Sequence, residues 1–136
     1  METESTGKIK ILLVDDEMEL VDAVRELMED RGFQVNYAND GVSALDMIKK
    51  DAPDLILLDI VMPNMDGIEL LNRLKNDKTT KDIPVIMLTV KDGQHNRDLG
   101  LARGAYEYIS KPYDSLALIR QVTNVLEKSG KIKRKI

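Results

Sequence analysis

The chain of 136 residues contains no cysteine, which excludes a disulfide framework, a thiolate metal site and a cysteine nucleophile. Tryptophan is also absent. Aromatic residues make up only 4% of the chain, too few for a platform on which single-stranded bases stack. The single histidine, His95, stands in a polar segment with no other ligand candidates, so neither a histidine metal site nor a histidine phosphoryl relay is expected. No apolar run approaches membrane-spanning length, and METESTGKIK lacks the basic-then-apolar order of a signal peptide. With 20 basic against 24 acidic residues the net charge is −4, which argues against a body that grips phosphate backbones. The expectation is a soluble, cytoplasmic protein.

What remains is globular composition, 43% hydrophobic and 32% charged, in a length that suits one domain with a real core. Charge is unevenly spread: Lys128, Lys131, Lys133, Arg134 and Lys135 crowd the C-terminal end, leaving the rest markedly acidic. That tail reads as a linker stub, a weak nucleic-acid contact or a solvated end, the last being preferred.

Apolar runs of strand length alternate with stretches of helical period. Residues 9–14 (IKILLV) form a nearly continuous apolar run, as a strand buried on both faces requires. Leu20, Val21, Val24, Leu27 and Met28 then mark one face of a helix, which Arg31-Gly32 ends. Residues 34–38 (QVNYA) read as a second strand, Asn39-Asp40-Gly41 as a turn and N-cap, and Val42, Ala44, Leu45 and Ile48 as a second helix. Residues 55–58 give the third strand, and Ile68, Leu70, Leu71 and Leu74 the third helix. Residues 84–89 (PVIMLT) give the fourth strand, with Pro84 in first place, where proline is tolerated. The segment 91–103 has a thin apolar face of Leu99, Leu101 and Ala102, and Gly93 and Gly100 lower its helical propensity. Residues 106–109 are a short fifth strand; Asp114 or Ser115 caps a last helix carrying Leu118, Val122, Val125 and Leu126.

Strands alternating with helices imply a parallel sheet, doubly wound by right-handed crossovers with helices on both faces, a three-layer α/β sandwich. The functional crevice of such a sheet lies beyond the carboxyl ends of its strands, where strand order reverses. Asp15, Asp16, Asp59, Thr89 and Lys111 each follow a predicted strand closely, so all come to one edge. Alone, Asp15-Asp16-Glu17 reads equally well as a strand end and helix N-cap. Together, three carboxylates raise one another's pKa unless a cation neutralises them, and oxygen ligands of this kind suit Mg²⁺. Lys111 adds an ammonium and Thr89 a hydroxyl. A carboxylate nucleophile, a divalent metal, an ammonium and a hydroxyl are the parts needed for phosphoryl transfer to aspartate.

With LLVDDE, LLDIVMPNMDG, MLT and ISKP in this order, the chain resembles the receiver domain of two-component response regulators. The resemblance runs over 8–128, with 1–7 expected to be a disordered tail and 129–136 a basic tail or linker stub. It implies a flavodoxin-like, chemotaxis-regulator-like (βα)5 sheet of order 2-1-3-4-5. It also implies that Asp59 is the phosphoacceptor and Asp16 a direct Mg²⁺ ligand. Asp15 would act through water or as a second ligand, and Val61 would offer its backbone carbonyl. Thr89 would bind a phosphoryl oxygen and move toward it, Lys111 would pair with the phosphoryl group, and Tyr108 would be the switch aromatic. The implied donor is a sensor histidine kinase or phosphotransfer protein, docking near Leu20, Ala23 and Pro112. The implied output is a shift of the face made by the fourth helix, fifth strand and fifth helix, read by an effector or output domain, with possible dimerisation.

Where receivers usually have a small residue after the threonine, this chain has Val90, which should narrow the phosphoryl site. Apolar Val61 offers no hydrogen bond to an attacking water, so slow self-dephosphorylation is expected, with Lys91 at the other tuning position. The segment 91–103 is expected to order on phosphorylation as Tyr108 turns inward. Pro63, Asp66 and Gly67 read as structural loop residues, and Tyr106 and Tyr113 as packing or surface aromatics. The reading is of a signalling switch, not a turnover enzyme. An aspartate-nucleophile phosphatase needs a second acid two residues after the nucleophile, where Asp59 is followed by Val61. A phosphorylation-independent pseudo-receiver is the alternative, and the intact Asp, Thr and Lys set argues against it.

Overall fold

A computed structural model describes residues 7–60, 65–90, 94–111 and 113–132. Within them the elements alternate: β1 (Lys10–Val14), α1 (Met18–Asp30), β2 (Gln34–Ala38), α2 (Gly41–Lys50), β3 (Leu55–Asp59), α3 (Gly67–Lys75), β4 (Val85–Val90), α4 (Gln94–Ala102), β5 (Glu107–Lys111) and α5 (Ser115–Lys128). The strands form one parallel sheet in the order β2-β1-β3-β4-β5, as expected. Order reverses between β1 and β3, so the crevice of the doubly wound sheet opens above their carboxyl ends.

Alternation along each strand supplies two cores. Leu12, Val14, Ile56, Leu58 and Met87 meet Ala44 and Ile48 of α2 and Leu70, Leu71 and Leu74 of α3 on one face. Ile11, Leu13, Leu55, Leu57, Ile86 and Leu88 meet Val21, Val24 and Met28 of α1 and Leu118, Val122 and Val125 of α5 on the other. Both faces are covered, which is why the strands read as unbroken apolar runs. Asp40, Asp66 and Asp114 cap α2, α3 and α5, each accepting from the backbone N–H three residues on. The polar connection after α3 closes on itself, with Thr80 Oγ1 donating to Leu74 O at 2.6 Å and Lys75 Nζ to Ile83 O at 2.9 Å.

Several expectations shift. β3 runs one residue further than its apolar stretch, so Asp59 is the strand's last residue and pairs with Leu88. β5 is displaced toward the C-terminus and ends on Lys111, because Ser110 and Lys111 keep register with Thr89 and Val90 despite being polar. The helix expected over 91–103 spans Gln94–Ala102, and 91–93 lie outside the described residues. Val42 does not join the buried stripe of α2; it is 59% exposed, since Gly41, Ala44 and Ile48 define that stripe and Val42 is rotated off it. Leu101 is likewise exposed. α4 instead presses its glycine on the sheet: a Cβ on Gly100 would run into the Met87 side chain. Val61, Pro63, Lys91, Pro112 and the basic Lys133, Arg134 and Lys135 lie outside the described residues, as do the side chains of Thr89, Val90 and His95.

Candidate functional site

β1 delivers Asp15 one residue past its end, where the Asp15 N–H still reaches Ala38 O of β2 at 3.1 Å. This backbone bond holds the Asp15 side chain inside, with no exposed surface, while Asp16 turns to solvent. The α1 N-cap is Glu17, not either aspartate, and it makes no side-chain cap. Asp15 Oδ1 instead accepts from the Glu17 N–H at 3.0 Å. β3 delivers Asp59, which is 6% exposed. One carboxylate oxygen from each of Asp15, Asp16 and Asp59 lies within 4.8 Å of the others.

β5 delivers the counter-charge. Lys111 Nζ donates to Asp15 Oδ2 at 3.0 Å and to Glu17 Oε1 at 3.1 Å, and lies 3.6 Å from Asp59 Oδ2. Burial disfavours the ammonium, but the Asp15 hydrogen bond, the Asp59 charge and the Glu17 hydrogen bond outweigh it, so its pKa stands above the ordinary lysine value. Four acids face one base here. An acidic edge of this composition fits a hard, oxygen-seeking divalent cation such as Mg²⁺, for which Asp15, Asp16 and Asp59 are the candidate ligands.

The loop back into α3 is held against Asp59. Gly67 N–H donates to Ile60 O at 2.8 Å, and a Cβ on Gly67 would sit 2.5 Å from Asp59 O and 2.7 Å from Ile60 Cα. Asp66 and Gly67 therefore do more than shape a turn, since the glycine lets α3 start directly over the backbone of Asp59. Thr89 sits on β4 next to the Asp59 partner Leu88 and in register with Ser110. Tyr108, two residues before Ser110, is half-buried against the α2–α3 core. The Arg97 guanidinium of α4 lies 5.1 Å from its ring centroid and donates to Ser110 Oγ at 3.3 Å. Nothing in the sequence pattern had singled out Arg97, and Glu17 and Gly67 had read only as part of a strand end and of a turn. A hollow of about 240 Å³ lined by Lys10, Asn36 and Asp51 lies at the other end of the strands, away from these acids.

The model of the response regulator receiver domain family matches residues 11–123. The chain belongs to that family. Among curated relatives, it is 43% identical over 120 residues to the transcriptional regulatory protein CpxR of Escherichia coli (strain K12), covering 88% of this chain and 50% of CpxR. The chain thus spans about half the length of the curated relatives it matches. A putative response regulator from Chloroflexus aurantiacus superposes with a TM-score of 0.84 at 30% identity, covering 88% of this chain and 98% of that one. Chemotaxis response regulator CheY4 of Vibrio cholerae gives 0.83 at 31% identity, covering 88% and 99%.

Receiver domains bind Mg²⁺ at an acidic pocket, and in this receiver domain Asp15, Asp16 and Asp59 are the clustered acids. Such domains are typically signalling modules rather than enzymes, and response regulators work with histidine kinases and output domains. Among the described residues no helix is long and apolar enough to cross a membrane. Of the expected docking positions, Leu20 is half-buried on the α1–α5 core, Ala23 is exposed, and Pro112 lies outside the described residues.

Proposed function

We propose that this receiver domain is a phosphorylation-dependent switch in which Asp59 is the phosphoacceptor. Its carboxylate attacks the phosphorus of a phosphohistidine on a sensor kinase or phosphotransfer protein. The P–N bond breaks, a P–O bond to Asp59 forms, and the donor imidazole leaves. The observation that carries this reading is the meeting of Lys111 with Asp15 and Asp59 at one sheet edge, at 3.0 and 3.6 Å. Asp15, Asp16, Asp59 and the Val61 carbonyl would hold Mg²⁺, which when bound offsets charge on the transferring oxygens. Lys111 pairs with the phosphoryl group, and the Thr89 hydroxyl hydrogen-bonds one of its oxygens.

Movement of Thr89 then frees Tyr108 to turn inward, and the α4–β5–α5 face changes for an effector or output domain. Leu20, Ala23 and Pro112 form the proposed kinase-docking edge. The family match over 11–123 supports taking 8–128 as the receiver unit, with 1–7 and 129–136 as flanking segments.

Intact mass after incubation with Mg²⁺ and a small phosphoryl donor tests the reading. One added phosphoryl group in the wild type, absent from Asp59→Asn, is the expected result. Addition to both proteins overturns the assignment of Asp59. Failure of the wild type both to gain mass and to bind beryllofluoride overturns the switch.

A further inference from the structure

Tyr108, the ring that turns in the function proposed above on which this inference rests, is not alone on its face of β5. It pairs with Met87 of β4, and Ser110, two residues on and so on the same face, pairs with Thr89. α4 lies close over this patch, because a Cβ on Gly100 would run into the Met87 side chain. Arg97 stands three residues before Gly100, on the same side of the helix. Its guanidinium lies 5.1 Å from the Tyr108 ring centroid, donates to Ser110 Oγ at 3.3 Å and donates to Gln94 Oε1 at 3.1 Å. Gln94 is itself held, donating to Asp98 Oδ1 at 2.7 Å.

The Arg97 Nε is buried and, among the described residues, has no hydrogen-bond partner. A guanidinium whose only task was to tie α4 to the sheet could swing outward and let water satisfy every donor. Arg97 instead gives up the solvation of one donor and faces the ring. Cation–π attraction grows as the cation leaves water, so the aromatic face offsets part of that loss. The compensation lasts only while Tyr108 keeps its half-buried place against the α2–α3 core. A ring that turns leaves the guanidinium with an unpaired donor and no face to rest on.

We infer that Arg97 is a positioning residue that latches Tyr108 in its resting place, so that phosphorylation of Asp59 must release the ring from the guanidinium. The latch lowers the population of the activated arrangement, and with it the apparent affinity of the site for a phosphoryl group. Its sign opposes simple electrostatics. Deleting a positive charge weakens the attraction of the protein for an anion, whereas deleting a latch strengthens binding.

The test uses the full chain with Mg²⁺ and beryllofluoride as the phosphoryl mimic. Arg97→Met and Arg97→Gln, neither carrying a cation, should each bind beryllofluoride about 5-fold more tightly than wild type, equivalent to about 1 kcal/mol and in the range of one cation–π contact. In a Tyr108→Leu background the same substitutions should bring no gain, since no ring is left to hold. In tyrosine-labelled Arg97→Met without the mimic, the Tyr108 ring signals followed by NMR should move toward the positions they take in wild type with beryllofluoride. Unchanged or weaker binding by the two single variants overturns the inference, as does an equal gain with and without the Tyr108 ring. Tyr108 signals that stay in place or move elsewhere overturn it too. Asp59→Asn separates the two levels of argument. Equal binding by that variant, or no binding by wild type, removes the proposed function and this inference with it; Asp59-dependent binding that ignores Arg97 removes the inference alone.

Discussion

Replacing Lys111 by methionine keeps the apolar stem and deletes the ammonium that Asp15, Glu17 and Asp59 share. At 3.0 Å from Asp15, the attraction in a medium of effective dielectric near 20 is about 5 kcal/mol, much of it offset by desolvation. Removing one partner of a buried pair typically costs about 3–5 kcal/mol, because the other charge is left behind without compensation. Asp15 has no exposed surface, which favours a large effect, whereas Lys111 is 15% exposed and Glu17 is well solvated, which lowers it. We expect a loss of about 3 kcal/mol, read from urea unfolding followed by far-UV circular dichroism in metal-free buffer.

The pH dependence has a definite sign. Folding raises the Lys111 pKa, so its contribution is fully present below the ordinary lysine value of 10.5 and fades as pH climbs above it. The gap between the two proteins should therefore stay flat from about pH 6 to 9 and narrow only in strongly alkaline solution. Because the chain has no cysteine, Lys111→Cys alkylated with 2-bromoethylamine rebuilds a near-lysine at this one site and should recover most of the loss. Equal stability of Lys111→Met and wild type would refute the reasoning, since the acids would then not depend on the ammonium.

Gly67→Ala should destabilise by about 1–3 kcal/mol, because the new Cβ meets the Asp59 and Ile60 backbone rather than a side chain that can swing away; urea unfolding reads the loss, and weaker beryllofluoride binding should accompany it. Gly100→Ala improves helix propensity by about 1 kcal/mol, yet it should still cost stability, since Met87 is fully buried where the Cβ would go. The double variant Gly100→Ala/Met87→Ala should be more stable than the two single losses added, a coupling that a double-mutant cycle measures.

The sheet was legible because both of its faces are buried. Runs such as Leu55 to Leu58 announce a strand covered on each side, and the intervening 3.6-residue stripes announce the helices. The acids were legible for a related reason: charge at the end of such a run has nowhere to go except the crevice. Polar strand ends were harder to read. Ser110 and Lys111 carry no apolar signal, and only their register with Thr89 and Val90 keeps them in β5. Contacts made through a missing side chain leave even less trace. Gly100 reads as a helix weakness until Met87 is seen where its Cβ would stand, and Gly67 as a turn until Asp59 O is found there. Tyr113 reads in the sequence as a packing or surface aromatic, and its ring packs on the α1–α5 core.

Strand order explains why the base at this edge is a lysine. From β5 to β1 the chain crosses three strand spacings, about 14 Å in a regular sheet. A lysine stem of roughly 6 Å, an aspartate side chain and one hydrogen bond together come close to that span, with sheet twist making up the rest. A shorter cation could not reach Asp15 from β5. A guanidinium could reach it but holds its donors in a rigid plane, whereas a compact ammonium with three rotatable donors can face Asp15, Glu17 and Asp59 from different directions at once. The result is a charge that spans the sheet and is divided among three acids. Any negative charge gained at Asp59 must then be compensated partly at the expense of Asp15 and Glu17. The strand that carries Lys111 also carries Tyr108.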